Sequence, residues 1–364
     1  MNKISLKLLI IIVLLPIINL AQNDQAFYEH YTGLISEDLK ITADLVKMEN
    51  SFSGFYYYQF KEEGAWKSSK PIALDGQVGA DHHFVLNEFG ENHSFFQGVL
   101  ETSKLIKGEW VNDMLKNPVD FTFKATYSKA SIPMKAVESY RIKNYNDDLE
   151  KPSAKYHLSV LFPSSTIDQA VYHQLLKRIY HLIGYRGEVS KQTDIITSLQ
   201  DLFFKQFQLS LDNIKLDSFP EHFNWEKSVR MDVINNEGGL LCLQVETYAK
   251  TGARDGAKIK KYLVFNVIEN KVIKLKDMIS ADKQEALNNL LQEKLRTHYH
   301  ISPDTPLSEA GFFQDSISAT NNFYVHPGGI GFYYNVYEIA PFSNGSTDLF
   351  IPWENLKGII ETLF

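Results

Sequence analysis

The chain has 364 residues, 44% of them hydrophobic and 22% charged, and its 44 acidic against 37 basic side chains leave a net charge of −7. That balance argues against a nucleic-acid partner, whose phosphates need a basic surface. A single cysteine, Cys242, leaves no internal disulfide, so the fold must rest on core burial.

The first 21 residues read as a secretory signal peptide. Lys3 and Lys7 form a positive start, Leu8 to Leu20 an apolar run, and Ala21 a small residue at the cleavage point. The competing reading is an uncleaved anchor, although the run is short for a bilayer and contains Pro16. No cysteine follows it as a lipid attachment site, and no later segment is apolar enough to span a membrane. An exported protein of the periplasm, cell surface or extracellular space is therefore expected. Loss of the two leader lysines takes its net charge from −7 to −9.

Residues 22–130 predict an antiparallel β meander with a barrel-like form. Short apolar and aromatic runs, among them GFYYYQF at 54–60, HFVLNEF at 83–89 and FTFKATY at 121–127, alternate with Gly and charged turns. Gly33, Gly54, Gly76 and Gly98 recur at hairpin spacing, a weak internal repeat. Within Tyr56-Tyr57-Tyr58, alternate rings take opposite faces. An exposed row there would stack on sugar rings, whereas a buried one would pack across strands.

Composition changes near residue 130, where Pro133, Pro152 and Asp147-Asp148 interrupt the pattern. A small α/β domain over 131–225 and an α+β domain over 226–364 follow, giving an α+β protein overall. YHLSVLFP, 156–163, reads as a strand. Ser165 and Asp168 precede an amphipathic helix carrying Val171, Leu175, Leu176 and Ile179, and a second helix runs from Thr193 to about Leu209. Residues 225–250 read as a hairpin turning at Asn236 to Gly239, and 260–275 as a strand pair around Glu269-Asn270. Asp282 and Glu285 resemble a capping box for a Leu-rich helix. Strands near 321–325, 330–336 and 347–351 and a helix from Pro352 to about Leu363 close the chain.

The chemistry-bearing residues assign no reaction. His82, His83 and His93 fall in turns of a hairpin, and His298 and His300 would lie about 200° apart on a helix. No metal site or cofactor is expected from them. Gly-x-Ser-x-Gly and phosphate-loop patterns are absent from the sequence. Cys242, inside Leu240-Leu241-Cys242-Leu243, reads as a small buried hydrophobe. Glu338, set among aromatics, is the strongest single catalytic suspect, and its bland reading is a strand-end acid satisfied by backbone N–H groups at Ala340-Pro341.

VYEIAPFSNGSTDLFIPWENL, 336–356, resembles the C-terminal signature of the RsiV-like domain, a family without an established general function. Residues 248–279 are similar to that family's middle segment, except that Arg254-Asp255-Gly256 replaces the usual Ala-His-Gly, so no role of that His carries over. The likeness extends over 138–364, and the strand-rich N-terminal part resembles those of exported Bacteroidetes proteins. The resemblance implies an envelope-facing binding module. Family settings include the extracellular, lysozyme-binding sensor of an anti-sigma factor and a companion of peptidoglycan deacetylases. It points to a partner-binding set of Tyr248, Arg254 and Asp255 on the middle segment, with Tyr337, Glu338, Pro341 and Phe342 on the last loop.

Three readings follow. The first is a non-catalytic envelope protein that binds a lysozyme-like protein or a peptidoglycan-type glycan. The second is a carbohydrate-active hydrolase or deacetylase-associated enzyme using a carboxylate pair. The third is a structural or assembly component of the envelope.

Overall fold

Nine antiparallel strands occupy the first third of the computed structural model, which describes residues 26–36, 39–89, 93–112, 117–128, 130–188, 191–212, 214, 223–252 and 255–360. The segment expected to be a leader, 1–21, lies outside the described residues, as does Arg254. The strands are β1 (Phe27–Ile35), β2 (Leu39–Met48), β3 (Ser51–Glu62), β4 (Ala65–Ser68), β5 (Ile72–Val78), β6 (His83–Glu88), β7 (Phe95–Thr102), β8 (Leu105–Val111) and β9 (Val119–Ala125). They pair in the order β2-β1-β9-β8-β7-β6-β5-β3, and β2 also pairs with β3, so eight strands close into a barrel with β4 hanging from β3. Closure removes the open edges that such strands would otherwise present.

Aromatic side chains fill the barrel. Phe96 lies 5.2 Å from Tyr56, 5.0 Å from Phe121 and 5.4 Å from Phe123, centroid to centroid. At 0–3% exposure each, these rings bury enough surface to contribute about 1.5–3 kcal/mol apiece. Tyr56 and Trp110 both donate to Glu88 Oε1, at 2.6 and 2.7 Å. The regularly spaced glycines mark close approaches between strands. A Cβ on Gly76 would sit 1.7 Å from the Val85 carbonyl oxygen, and one on Gly54 2.0 Å from that of Asp44. Gly33, Gly54, Gly76 and Gly98 fall on β1, β3, β5 and β7, where a missing side chain lets the sheet coil tightly.

Tyr56 and Tyr57 are both buried, and only Tyr58 is half-buried, so the triple tyrosine forms no exposed sugar-stacking row. The sequence alternation was read correctly, but both faces of β3 are covered. Tyr56 points into the barrel, while Tyr57 points outward and donates to Glu237 of the next sheet.

That sheet has six strands in chain order: β10 (Met134–Asn144), β11 (Ser153–Pro163), β12 (Trp225–Glu237), β13 (Leu240–Lys250), β14 (Ala257–Asn266) and β15 (Lys271–Val272). β11 and β12 are parallel. Between them the chain forms two helices, α1 (Gln169–Leu182) and α2 (Gln192–Leu211). Asp168 caps α1 as expected, its Oδ1 accepting from the N–H groups of Ala170 and Val171. Val171, Leu175, Leu176 and Ile179 of α1, with Ile196, Leu199, Phe203 and Phe207 of α2, enter one core with Tyr156, Leu158 and Val160 of β11. Tyr28, Val46 and Met48 from the outer wall of the barrel join this same core.

A polar lock accompanies that apolar contact. Ser53 Oγ donates to Asp232 at 2.8 Å, Tyr28 Oη donates to Asp44 at 2.6 Å, and Asn236 Nδ2 donates to Tyr28 Oη at 2.8 Å. His30 Nδ1 lies 2.9 Å from Asp44. Burial opposes charge on that imidazole, but Asp44 outweighs burial and its pKa rises.

The final part holds α3 (Gln284–Tyr299) and a three-stranded sheet, β16 (Phe323–His326), β17 (Gly329–Tyr334) and β18 (Thr347–Pro352). Leu287, Leu291 and Leu295 pack with Val325, Ile330, Phe332, Leu349 and Ile351. Three expectations fail here. No capping box forms at Asp282 and Glu285: Ala281–Lys283 is a 3₁₀ turn, so α3 starts later, behind Lys283. After Pro352 the chain makes only the 3₁₀ turn Trp353–Leu356, and no α-helix continues through 357–360. His300 ends α3 in the left-handed conformation, φ 56°, so His298 and His300 do not share a helix as supposed. Cys242 is fully buried, and burial pushes its thiol up to about 12, in keeping with an inert core residue.

Candidate functional site

Strand register places a band of polar and aromatic side chains on the sheet face opposite α1 and α2. Tyr140 of β10 faces His157 of β11, which faces Ser228 of β12, which faces Tyr248 of β13, which faces Lys258 of β14. The next row is Glu138, Ser159, Arg230, Glu246 and Lys260. Side chains two apart on a strand share a face, so both rows point the same way. The barrel stands over one side of this band. Between them lies a crevice of about 790 Å³, with Asp75, Gln77, His83 and Asn87 on its barrel wall and His157, Ser159, Ser228, Arg230 and Glu246 on its floor.

Charge pairing organises the crevice. Arg230 donates from Nη1 to Asp75 at 2.7 Å and from Nε to Asp232 at 3.0 Å, which ties wall to floor. Asp232 first, then Asp75, raises the guanidinium pKa further. His157 Nε2 lies 2.7 Å from Glu138, and His83 Nδ1 lies 3.0 Å from Asp81. Glu246 lies 3.5 Å from Lys258 Nζ and 3.8 Å from Lys260 Nζ.

At the β14 end, two asparagines join the six-stranded sheet to the three-stranded one. Asn335 Oδ1 accepts from Lys260 N at 2.7 Å, and its Nδ2 donates to Lys260 O at 3.1 Å. Asn322 Oδ1 accepts from Tyr262 N at 3.2 Å, and its Nδ2 donates to Lys260 O at 3.0 Å. The amides thus take up β14 backbone groups that would otherwise form a bare strand edge.

Beyond this joint, Tyr262, Tyr324 and Tyr333 cluster, with Tyr262 5.1 Å from Tyr324 and 5.7 Å from Tyr333. Gly331 has no side chain because Tyr324 crosses it: a Cβ there would lie 1.9 Å from the ring. The crossing brings Tyr324 Oη 3.1 Å from Asp348 Oδ1 on β18. Crowding by these groups withdraws Asp348 from bulk water and pushes its carboxyl up to about 6, against the Tyr324 hydroxyl, Lys260 and Lys70, which favour ionisation. The residue nevertheless keeps exposed surface and is not part of a sealed core.

The loop from β17 to β18 carries four of the sequence-predicted residues. Glu338 does not serve the Ala340-Pro341 turn. Its Oε2 accepts from Asn335 N at 3.0 Å and its Oε1 from Asn335 Nδ2 at 3.3 Å, so it braces the residue that holds the loop to β14. Tyr337 is 65% exposed with φ 67°, an uncommon conformation for a non-glycine residue. Its ring lies 5.8 Å from that of Phe342, itself 42% exposed, and Pro341 between them is exposed. Phe313 N donates to Ile339 O at 3.0 Å and fixes the middle of the loop.

The predicted set therefore divides. Tyr337, Glu338, Pro341 and Phe342 are all exposed on this one loop, with Glu338 bonded back to Asn335. Tyr248 lies in the crevice band, its ring stacked where only Gly256 leaves room, and Asp255 is exposed in the adjoining loop. Sequence reading missed the crevice itself, since Tyr140, His157, Ser228 and Tyr248 meet only through strand register. Among the described residues, no three metal-ligating side chains gather, and no helix is long and apolar enough to cross a membrane.

A family model described as a protein of unknown function, DUF3298, matches residues 276–354, which hold α3, the three-stranded sheet and the Tyr337 loop. The fold is similar to the crystal structure of a DUF3298 family member from Bacteroides fragilis, with TM-score 0.60 and 22% identity over 65% of this chain and 96% of that one. A DUF3298 family protein from Pseudomonas aeruginosa gives TM-score 0.45 and 20% identity over 64% of this chain and 95% of that one. No curated protein matches.

Proposed function

We propose that this protein is an exported, non-catalytic binding protein of the cell envelope that recognises a basic, lysozyme-like cell-wall protein through the Tyr337–Phe342 loop. The observation that carries the reading is Tyr337: a large aromatic side chain, 65% exposed, in a rare backbone conformation, on a loop braced at its base. Backbone held in such a conformation is a mark of binding loops, and exposed aromatics on rigid supports are typical anchors of protein recognition. The net charge of −9 after removal of the leader supports a cationic partner, and the resemblance of 336–356 to the RsiV-like signature supports the partner class.

Asp348 is where a hydrolase reading would start, since its carboxyl is raised to about 6. The charged groups acting on it are Lys260 and Lys70. A glycosidase needs a second carboxyl facing the first; the nearby Glu338 and Glu246 are engaged with Asn335 and with Lys258 and Lys260, which favours the binding reading.

The test is calorimetric titration of the chain from Gln22 onward with a cationic lysozyme at low and high salt. Saturable binding that weakens with salt is expected. Tyr337→Ala and Phe342→Ala should each weaken it, by about 2 kcal/mol for hot-spot aromatics. Absence of heat at both salt concentrations removes the lysozyme-like partner. Equal binding by the two variants removes the loop.

A further inference from the structure

We propose that the crevice between the barrel and the six-stranded sheet is a second binding site, for an uncharged oligosaccharide. Two tyrosines flank the crevice just outside its lining residues His157 and Ser228, on the same face of the sheet, with the Tyr248 ring resting against Gly256. Tyr140, 56% exposed, and Tyr248 lie in one register row, separated by His157 and Ser228. Three inter-strand steps set them about 14 Å apart, room for a few sugar rings with a tyrosine at either end. Aromatic side chains offer apolar faces to such rings while their hydroxyls stay wet.

Charge pairing argues for a neutral ligand. Arg230 is held by Asp75 and Asp232, Glu246 by Lys258 and Lys260, His157 by Glu138 and His83 by Asp81. An ionic ligand would have to displace one of these pairs, and the surplus of carboxylates repels anions. What the crevice offers instead is open hydrogen bonding. The side chains of Asn50, Gln77 and Ser228 line it without a hydrogen bond to other described residues. Polyhydroxylated ligands match such mixed donors and acceptors, and unpaired groups on either side discriminate against ligands that lack hydroxyls.

This site is separate from the Tyr337 loop, and its test separates the two. Chitotetraose, cellotetraose and maltotetraose would be titrated by NMR into the chain from Gln22 onward, beside an anionic tetragalacturonate. At least one neutral tetrasaccharide should bind, with affinity changing less than about twofold between low and high salt. Tyr140→Ala, a substitution at an exposed position, and Tyr248→Ala should each weaken it about tenfold, while Tyr337→Ala leaves it unchanged. Failure of all three neutral sugars to bind overturns the proposal. So does preferential, salt-sensitive binding of the galacturonate, or binding indifferent to both flanking tyrosines.

Discussion

Replacing Asn335, a buried amide at 8% exposure, by Ala should destabilise the protein well beyond the loss of an ordinary loop side chain. The amide makes a reciprocal pair with the backbone of Lys260, accepting at 2.7 Å and donating at 3.1 Å, and also donates to Glu338. After truncation, Lys260 O keeps its bond from Asn322, but Lys260 N loses the partner described for it. A half-buried N–H left unpaired costs about 1–3 kcal/mol. Adding a net bond of about 1 kcal/mol from the second contact, the expected loss is about 2–4 kcal/mol. Urea unfolding of wild type and variant, followed by tryptophan fluorescence, measures it as a lowered midpoint. Tyr337→Ala is the control: a ring 65% exposed should shift stability by less than about 0.5 kcal/mol. An Asn335→Ala variant within 0.5 kcal/mol of wild type would refute the view that these amides join the sheets.

Two further outcomes follow from the tyrosine cluster. Gly331→Ala puts a Cβ 1.9 Å from the Tyr324 ring, so the ring must leave Asp348; a loss of about 1–3 kcal/mol for overpacking should appear in thermal melts, with wild-type stability arguing that the ring does not lie there. Asp348 has a folded-state pKa raised to about 6 from an ordinary 3.8. Between those values the folded chain holds more protons than the unfolded one, so this group's contribution to stability falls as pH rises through the window. Asp348→Asn should therefore gain on wild type between pH 4 and pH 6, read from paired urea midpoints; a difference that is flat with pH would show that the carboxyl is not raised.

Local features were legible where local chemistry decides them. Asp168 ahead of Val171, Leu175 and Ile179 specified α1 because the cap and the apolar stripe lie within a few residues. The Gly238-Gly239 turn, with φ 62° and 77°, specified the β12–β13 hairpin for the same reason. Glycine spacing announced the hairpins of the barrel, but its physical cause, carbonyl oxygens of adjacent strands under 2.5 Å from any Cβ, exists only in three dimensions. Asp282 and Glu285 misled because the 3₁₀ turn at Ala281–Lys283 takes the place of the first helical turn. The crevice was illegible since its row joins residues 140, 157, 228 and 248, and the parallel pairing of β11 with β12 spans both helices. Tyr248 was picked out by likeness, without its neighbours.

The Tyr337 loop and the crevice floor meet in one residue. The backbone of Lys260 holds Asn335, and through it Glu338 and the start of the loop; the Lys260 side chain lies over the Tyr333 ring at 5.4 Å and reaches toward Glu246 in the crevice. A loop held this way would lose little conformational freedom on docking, which supports the proposed recognition role. The same economy explains why a carboxylate set among aromatics is spent on bracing a backbone amide. Glu338 does most for Tyr337 and Phe342 by holding the chain beneath them, so its removal should act through loop order and not through a lost contact with the partner.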